Sequence, residues 1–285
     1  MQDLAKNRAW IEVHLATLLF GFAGLFGKLV QLPALWIVFG RAFFAALALI
    51  GVALVLRHTV RLRSARDLFW LSLLGGLLAL HWWSFFYAIQ ISTVAVGLLS
   101  FASFPLFITL LEPLVFKEKL ALKNVVTALL TVLGLVLVVP DFNLQNNLTQ
   151  GVLWGVLSGA TFALISLLNR RFIQTYDGAV VSFYQNFIAA LVLLPFLILM
   201  PVMPSAGEWA QLILLGIVFT AVAHTLFIRS MRSIRAQQAS IIVSLEPVYG
   251  VLFAAVLLSE YPGVRMLVGG GLILTAAVLT MRAKA

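Results

Sequence analysis

Cysteine is absent from the 285-residue sequence, and charged residues make up only 10% of it. Without thiols the chain can form no disulfide, no thiol nucleophile and no cysteine metal site. Soluble domains carry about 25% charged residues, so this chain is too poor in charge to cover a water-facing surface. Hydrophobic residues account for 62% of the sequence instead. We therefore expect most of the surface to face lipid.

The sequence also has few acidic residues, which leaves a net charge of +9. A nucleic-acid-binding protein gathers such charge on one face or stripe. Here the basic residues occur in short clusters between long apolar runs, as in loops beside an anionic membrane leaflet. This distribution excludes nucleic acid as a partner and predicts the lipid bilayer.

Ten apolar segments approach the length of about 20 residues that a membrane-spanning helix needs. They cover residues 11–31, 34–56, 68–89, 92–115, 122–139, 151–169, 178–200, 208–228, 237–258 and 264–281. The connections between them have no more than about a dozen residues, so we expect no extramembrane domain. The sequence predicts an all-α polytopic membrane protein with ten transmembrane helices.

The basic residues also predict how these helices are oriented. With a cytoplasmic N-terminus, 16 of the 19 lysines and arginines fall in cytoplasmic segments, as the positive-inside rule requires. An even number of helices then returns the C-terminus to the cytoplasm. The N-terminal sequence MQDLAKNRAW enters the first apolar run without a cleavage signature, so we expect a retained first helix.

One pattern occurs twice, a proline followed thirteen residues later by a glutamate. The first copy, PLFITLLEPLVFKE, runs from Pro105 to Glu118, and the second, PVYGVLFAAVLLSE, runs from Pro247 to Glu260. The two copies are offset by 142 residues, about half of the chain. This self-similarity predicts a duplication, with repeats at residues 1–145 and 146–285.

A second match supports the duplication: RAFFAAL, which begins at Arg41, aligns with QNFIAAL, which begins at Gln185, at an offset of 144 residues. Each predicted repeat has five helices. Because five is odd, the two halves must cross the membrane in opposite orientations, as in many transporters. We therefore expect an inverted-topology repeat.

These features together resemble the EamA-type branch of the drug/metabolite transporter superfamily. The resemblance rests on ten helices in two halves, on the proline–glutamate pattern at the ends of helices four and nine, and on Arg41 early in helix two. Within the superfamily the chain is most similar to YddG-type aromatic amino acid exporters. The resemblance implies a cavity between the halves, lined mainly by helices one, three, four, six, eight and nine.

The resemblance further implies a carrier of the bacterial inner membrane that exports amino acids or related small metabolites by alternating access. The superfamily also contains carriers of sugar phosphates and nucleotide sugars, so a carrier of another solute class (a sugar phosphate, a nucleotide sugar or a drug) remains an alternative. A membrane-embedded enzyme is a more distant one, because the sequence has isolated histidines and glutamates but no nucleophile–base pair.

The candidate site residues are those that are costly to bury or that interrupt a helix. A charge at bilayer depth costs at least about 2.5–3.5 kcal/mol, and proline removes a helical hydrogen bond. For the substrate cavity we predict His81, Trp82, Phe101, Ser103, Phe162, Ser244 and Glu246; for charge or proton coupling Glu246, Arg41 and His224; and for hinges Pro105 and Pro247. The structural alternatives are an Arg41–Glu246 ion pair, a hydrogen-bonded core histidine, and rings packed between helices.

No cofactor is expected. The segment GFAGLFGK, which begins at Gly21, has the wrong spacing for a phosphate-binding loop and lies within the first apolar run. The histidines show no metal-ligand spacing. The sequence therefore predicts that the protein is not an enzyme. It predicts instead a small-molecule substrate whose transport is driven by its own gradient or by protons.

Overall fold

The computed structural model describes residues 2–55, 57, 59–116, 122–138, 143–200, 202–234 and 236–282. Every regular element within these ranges is a helix. In chain order they are α1 (Gln2–Ala23), α2 (Phe26–Leu29), α3 (Ala34–Val55), α4 (Ala65–Ile91), α5 (Val94–Phe101), α6 (Phe104–Phe116), α7 (Leu122–Val138), α8 (Asn147–Phe172), α9 (Gly178–Ile198), α10 (Ala206–Gly216), a π-helix (Ile217–Val222), α11 (Ala223–Ser230), α12 (Ala236–Val243), α13 (Glu246–Leu257) and α14 (Val264–Arg282).

Seven of the described helical segments are long and apolar enough to cross a membrane, and three shorter apolar helices accompany them. Their outer faces carry large apolar side chains, such as Val55, Ile198 and Leu199, which are 75–82% exposed. Such a surface requires an apolar solvent. The structure thus has the all-helical character predicted for a polytopic membrane protein.

Short polar side chains define where several helices begin. Each accepts a hydrogen bond from a backbone N–H of the first turn, which otherwise has no helical partner. These capping residues are Ser64 for α4, Thr93 for α5, Asn146 for α8, Asp177 for α9 and Ser205 for α10.

Predicted helices four and nine are each divided into two. The first is broken at Ala102 and Ser103, between α5 and α6, and the second between α12 and α13. Pro105 and Pro247 lie in the first turn after each break, where proline's missing N–H costs little. A full interruption thus replaces the kink that proline within a continuous helix would produce.

Helices from the two halves of the chain pack closely against each other. The largest interfaces pair α4 with α8, α7 with α14, α3 with α9, and α4 with α9, and α1 also packs on α11. The broken helix α5–α6 packs on α8, and the broken helix α12–α13 packs on α1. The two breaks therefore lie inside the bundle, against neighbouring helices and not against lipid.

Glycine permits the close approach of α8 to the broken helix α5–α6. A Cβ added to Gly159 would lie 2.8 Å from the Phe101 carbonyl oxygen. This is the carbonyl that Pro105 leaves without its usual helical donor. The freed carbonyl therefore faces the backbone of α8, as a small-residue helix contact allows.

A methyl group at residue 159 has no space, whereas one at Gly76 of α4 meets no atom within 4 Å. We expect Gly159→Ala to destabilise the protein by about 1–3 kcal/mol through overpacking. Gly76→Ala should leave the stability unchanged or raised, because alanine favours a helix. Thermal unfolding of the two purified variants in detergent checks this; equal midpoints would contradict the packing described.

On the face of the bundle that carries the N-terminus of α1, an ion-pair network ties α1 to α11. Glu12 is 6% exposed. Its Oε1 atom lies 2.6 Å from Arg229 Nη2 and 2.8 Å from Arg8 Nε. The two arginines neutralise a carboxylate that would otherwise be costly to bury.

On the opposite face, two charged side chains hold the turn between α4 and α5. Lys28 Nζ donates to the carbonyl oxygens of Gln90 (3.3 Å) and Ser92 (2.8 Å). Glu260 Oε2 accepts from the Val94 backbone N–H at 2.9 Å. Lys28 thus places a positive charge at the C-terminus of α4, and Glu260 places a negative charge at the N-terminus of α5. The helix dipole favours both arrangements. Glu118, the other glutamate of the repeated pattern, lies outside the described residues.

Replacing Glu260 tests this contact. Glu260→Ala removes an acceptor at the start of α5, and we expect a loss of about 0.5–2 kcal/mol, as for other helix caps. Glu260→Gln keeps a side-chain oxygen and should lose less. Unfolding midpoints of both variants give the comparison, and the contact would be unimportant if alanine matched the wild type.

Candidate functional site

A small cavity lies in the middle of the bundle. Its lining residues are Phe20, Ala23, Arg41, Leu78, His81, Trp82, Phe85, Phe101, Phe162, His224 and Glu246, from α1, α3, α4, α5, α8, α11 and α13. The cavity volume is about 30 Å³, enough for about two water molecules. A metabolite can therefore bind here only if the lining moves.

Most of the residues predicted for the site come together at this cavity. They are Arg41, His81, Trp82, Phe101, Phe162, His224 and Glu246. Ser103 and Ser244 are not among the lining residues. Ser103 lies in the break before α6 and donates to the Ser100 carbonyl oxygen at 2.7 Å, while Ser244 is buried in the break before α13.

The lining residues that sequence reasoning missed are apolar: Phe20, Ala23, Leu78 and Phe85. For Phe85 a signal was present, because it lies four residues after His81 and so shares a helix face with it. Gln185, the residue that aligns with Arg41 in the other repeat, does not line the cavity. Its Nε2 atom donates to Asn169 Oδ1 instead.

Arg41 is 2% exposed and is held by an aromatic ring and a hydroxyl. Its guanidinium carbon lies 3.9 Å from the Trp82 ring centroid, a cation–π contact. Its Nε atom donates to Thr220 Oγ1 at 3.1 Å, and that hydroxyl donates to the Leu215 carbonyl oxygen at 2.8 Å. Thr220 lies in the π-helix, and π-helical turns are often found at functional sites.

Glu246 is the first residue of α13, where the helix dipole favours a negative charge. Glu246 is 5% exposed, yet no described residue donates a hydrogen bond to its carboxylate. No described cation lies within 4 Å of it either, so Arg41 and Glu246 do not form a direct ion pair. Both charges line the cavity without neutralising each other by contact.

The two cavity histidines have polar partners at the Nδ1 atom. His81 Nδ1 lies 3.0 Å from the Ser158 carbonyl oxygen and 2.8 Å from the Ser158 hydroxyl. His224 Nδ1 lies 3.3 Å from Asn186 Nδ2 and 3.5 Å from Ser182 Oγ. Each ring is therefore fixed on one side and turns its other side to the cavity.

Aromatic rings form a continuous chain beside the cavity. Their centroids are 5.0 Å apart for Phe101 and Phe104, 5.1 Å for Phe104 and Phe162, 5.4 Å for Phe162 and Phe227, and 6.0 Å for Phe227 and Phe20. These rings come from α5, α6, α8, α11 and α1. These rings form an apolar wall of a cavity that is also lined by charged residues, a combination suited to an amphipathic solute.

A family model described as the EamA-like transporter family matches residues 9–139 and again residues 149–282. The chain belongs to the EamA-like transporter family. It is therefore a member of a family of multi-pass membrane transporters, and the central cavity is the natural candidate for its solute site.

Similar proteins are themselves named as transporters. An uncharacterized transporter of Bacillus subtilis, YxxF, is 26% identical over 97% of this chain and 90% of its own length. The pseudopaline exporter CntI of Pseudomonas aeruginosa is 27% identical over 99% of this chain and 98% of its own. An S-adenosylmethionine uptake transporter of Rickettsia felis is 25% identical over 87% and 83%, respectively.

The fold is also found in a crystal structure that is 20% identical to this EamA-like chain. The two superpose with a TM-score of 0.68 over 99% of this chain and 98% of the other. At this identity the likeness concerns the fold alone.

Thr220 supplies a test of how Arg41 is held in this EamA-like transporter. Thr220→Val keeps the shape but removes the acceptor of Arg41 Nε, and we expect a loss of about 1–3 kcal/mol for the charged donor left buried. Thr225→Val is the matched control, because Thr225 Oγ1 is buried without a hydrogen-bond partner among the described residues. Chemical or thermal unfolding should separate the two variants; equal effects would contradict the Arg41 contact.

Proposed function

We propose that the protein is a secondary carrier that exports amino acids, apolar and aromatic ones above all, or related small metabolites across the cytoplasmic membrane. The single observation that carries this proposal is the central cavity, where Arg41 and Glu246 are both buried and make no direct ion pair. A carboxylate can pair with the first and an ammonium group with the second. The neighbouring phenylalanines suit an apolar side chain.

The charges of the cavity favour such a solute over a phosphate. Of the described lining residues, Arg41 is the cation and Glu246 the anion. A sugar phosphate or nucleotide sugar would gain one pairing with Arg41 and meet repulsion from Glu246. A solute with both charges neutralises both residues.

The direction of transport follows the resemblance to exporters. The named relatives include both an exporter and an uptake transporter, so the family as a whole uses both directions. The sequence carries no nucleotide-binding motif, and the driving force we propose is the solute gradient or a proton gradient, with Glu246, Arg41 and His224 as the candidate coupling groups.

We propose further that residues 1–145 and 146–285 are inverted repeats, with both termini in the cytoplasm. The family model's separate match to each half supports the two repeats. Basic residues such as Arg170, Arg171 and Arg229 support the orientation, since they fall on the face that carries the N-terminus.

Alternating access then requires the two faces of the bundle to open in turn. Glu12 with Arg229 ties one face, and Lys28 and Glu260 hold the turn at the other. The backbone breaks before Pro105 and Pro247 lie between these faces and are the proposed hinges. Because the cavity is too small for a metabolite, movement of its lining is part of binding.

The test is uptake of radiolabelled amino acids into liposomes that contain the purified protein, with and without unlabelled competitors and a pH gradient. We expect apolar and aromatic amino acids to compete, and Glu246→Gln to lower the rate at least tenfold, because the neutral side chain no longer pairs with an ammonium group. Counterflow of labelled solute should occur in wild type, since a carrier exchanges solutes and a pore or enzyme does not.

Glu208→Gln is the matched control. Glu208 is partly exposed in the first turn of α10, where it forms a capping box that glutamine also forms. The variant should transport at the wild-type rate. Uptake of sugar phosphates in place of amino acids, or full activity of Glu246→Gln, would overturn the proposal.

A further inference from the structure

The hydrogen-bond partners of His81 determine which of its ring nitrogens carries the proton. Nδ1 lies 3.0 Å from the Ser158 carbonyl oxygen, an atom that only accepts hydrogen bonds. Nδ1 must therefore be the protonated nitrogen, and the Ser158 hydroxyl at 2.8 Å can accept from the same N–H. As a neutral imidazole, His81 then has a lone pair on Nε2. His81 is a hydrogen-bond acceptor on its remaining side.

The same reasoning gives His224 the opposite tautomer. Asn186 places one amide atom 2.8 Å from the Ser182 carbonyl oxygen, so that atom must be the NH2 nitrogen, a donor. This nitrogen is also 3.3 Å from His224 Nδ1, which must accept from it. Nε2 of a neutral His224 therefore carries the proton. His224 is a hydrogen-bond donor on its remaining side.

These remaining sides are free within the described part of the chain. The hydrogen bonds from described residues reach only Nδ1 of each histidine and Nε of Arg41, and none reaches the Glu246 carboxylate. All four residues line the central cavity. The cavity thus offers two donors, Arg41 and His224, and two acceptors, Glu246 and His81.

The two donors are neighbours, because both contact Trp82. The Arg41 guanidinium carbon is 3.9 Å from the Trp82 ring centroid, and the His224 ring centroid is 5.7 Å from it in an edge-on arrangement. His81, an acceptor, is 6.5 Å from the Trp82 ring and packs more closely among rings of the apolar wall, 5.2 Å from Phe162 and 5.5 Å from Phe101.

We propose that the two histidines, fixed in opposite tautomers by Ser158 and Asn186, sort the two ends of a zwitterionic substrate. His224 joins Arg41 in binding the carboxylate, and His81 joins Glu246 in binding the ammonium group. This inference rests on the proposed function, because it takes the central cavity as the solute site. It makes His81 and His224 specificity-determining residues, and Ser158 and Asn186 the groups that position them.

The charge balance of the cavity supports this assignment. Neutral histidines add hydrogen-bonding capacity without adding charge, so the site has no net charge when Arg41 and Glu246 are both ionised. A zwitterion preserves this balance. A simple amine or a simple acid pairs with one of the two and leaves the other buried without a partner, which is costly in a site of low polarity.

The experiment compares three inhibitors with the same side chain: L-phenylalanine, its decarboxylated amine phenethylamine, and its deaminated acid 3-phenylpropionate. Each is titrated against uptake of labelled phenylalanine into liposomes. For wild type we expect the amino acid to inhibit at concentrations at least tenfold lower than the amine or the acid. Equal inhibition by all three would overturn the proposal without any variant.

The two histidine variants should then show opposite changes. His224→Phe keeps a ring of similar shape and should weaken inhibition by the amino acid and the acid about tenfold, with the amine unchanged, since one hydrogen bond to a charged group is lost. His81→Phe should weaken inhibition by the amino acid and the amine, with the acid unchanged. Damage to the fold would affect all three inhibitors alike, so equal losses would refute the assignment.

Asn186→Leu tests the role of His224 independently. It leaves His224 in place but removes the donor that sets its tautomer. It should weaken inhibition by the acid more than inhibition by the amine, whereas Thr225→Val should alter neither. If wild type moves no amino acid at all, the proposed function fails. If it moves amino acids and the variants show no opposite changes, only the present inference fails.

Discussion

Burial of one arginine and one glutamate in the middle of a lipid-facing bundle is the constraint on which the rest of the structure depends. Each charge costs several kcal/mol at this depth unless other groups compensate it. Arg41 is stabilised by the Trp82 ring and by Thr220, and Glu246 by the N-terminus of α13. Arg41 still has donors, and Glu246 still has acceptors, that these contacts do not occupy. The remaining capacity points into the cavity, where a substrate can use it.

The broken helices follow from the same need. A helix that crosses lipid without interruption satisfies its backbone internally and presents no helix terminus at mid-depth. The break before α13 creates an N-terminus beside Glu246, and the break before α6 frees the Phe101 carbonyl against Gly159 of α8. Both interruptions are covered by neighbouring helices. Irregular backbone is thereby placed where protein, and not lipid, surrounds it.

The central cavity is too small for a metabolite, and polar contacts hold both faces of the bundle. The Glu12–Arg229 contact lies at one face, and the Lys28 and Glu260 contacts lie at the other. Each consists of a few polar interactions, which are individually modest and can be exchanged for water when a face opens. Apolar contacts have no such substitute, so helices that share a large interface, such as α7 and α14, are suited to move together as rigid units.

The sequence by itself determined the class of fold and most of the charged site, because charges and prolines in long apolar runs are conspicuous in the one-dimensional pattern. Arg41, His81, His224 and Glu246 were found in this way. Ser103 and Ser244 were predicted for the cavity but are not among its lining residues, and Phe20 and Leu78 line it without having been predicted. The pattern could not place these residues, because which face of a helix lies inward depends on how its neighbours pack. Only the tertiary structure decided that Arg41 and Glu246 do not pair, that Glu260 caps α5, and that Ser158 and Asn186 give the histidines opposite tautomers. Each of these findings concerns residues that are far apart in the chain. The sequence could not predict them, because such residues come together only once the helices have assembled.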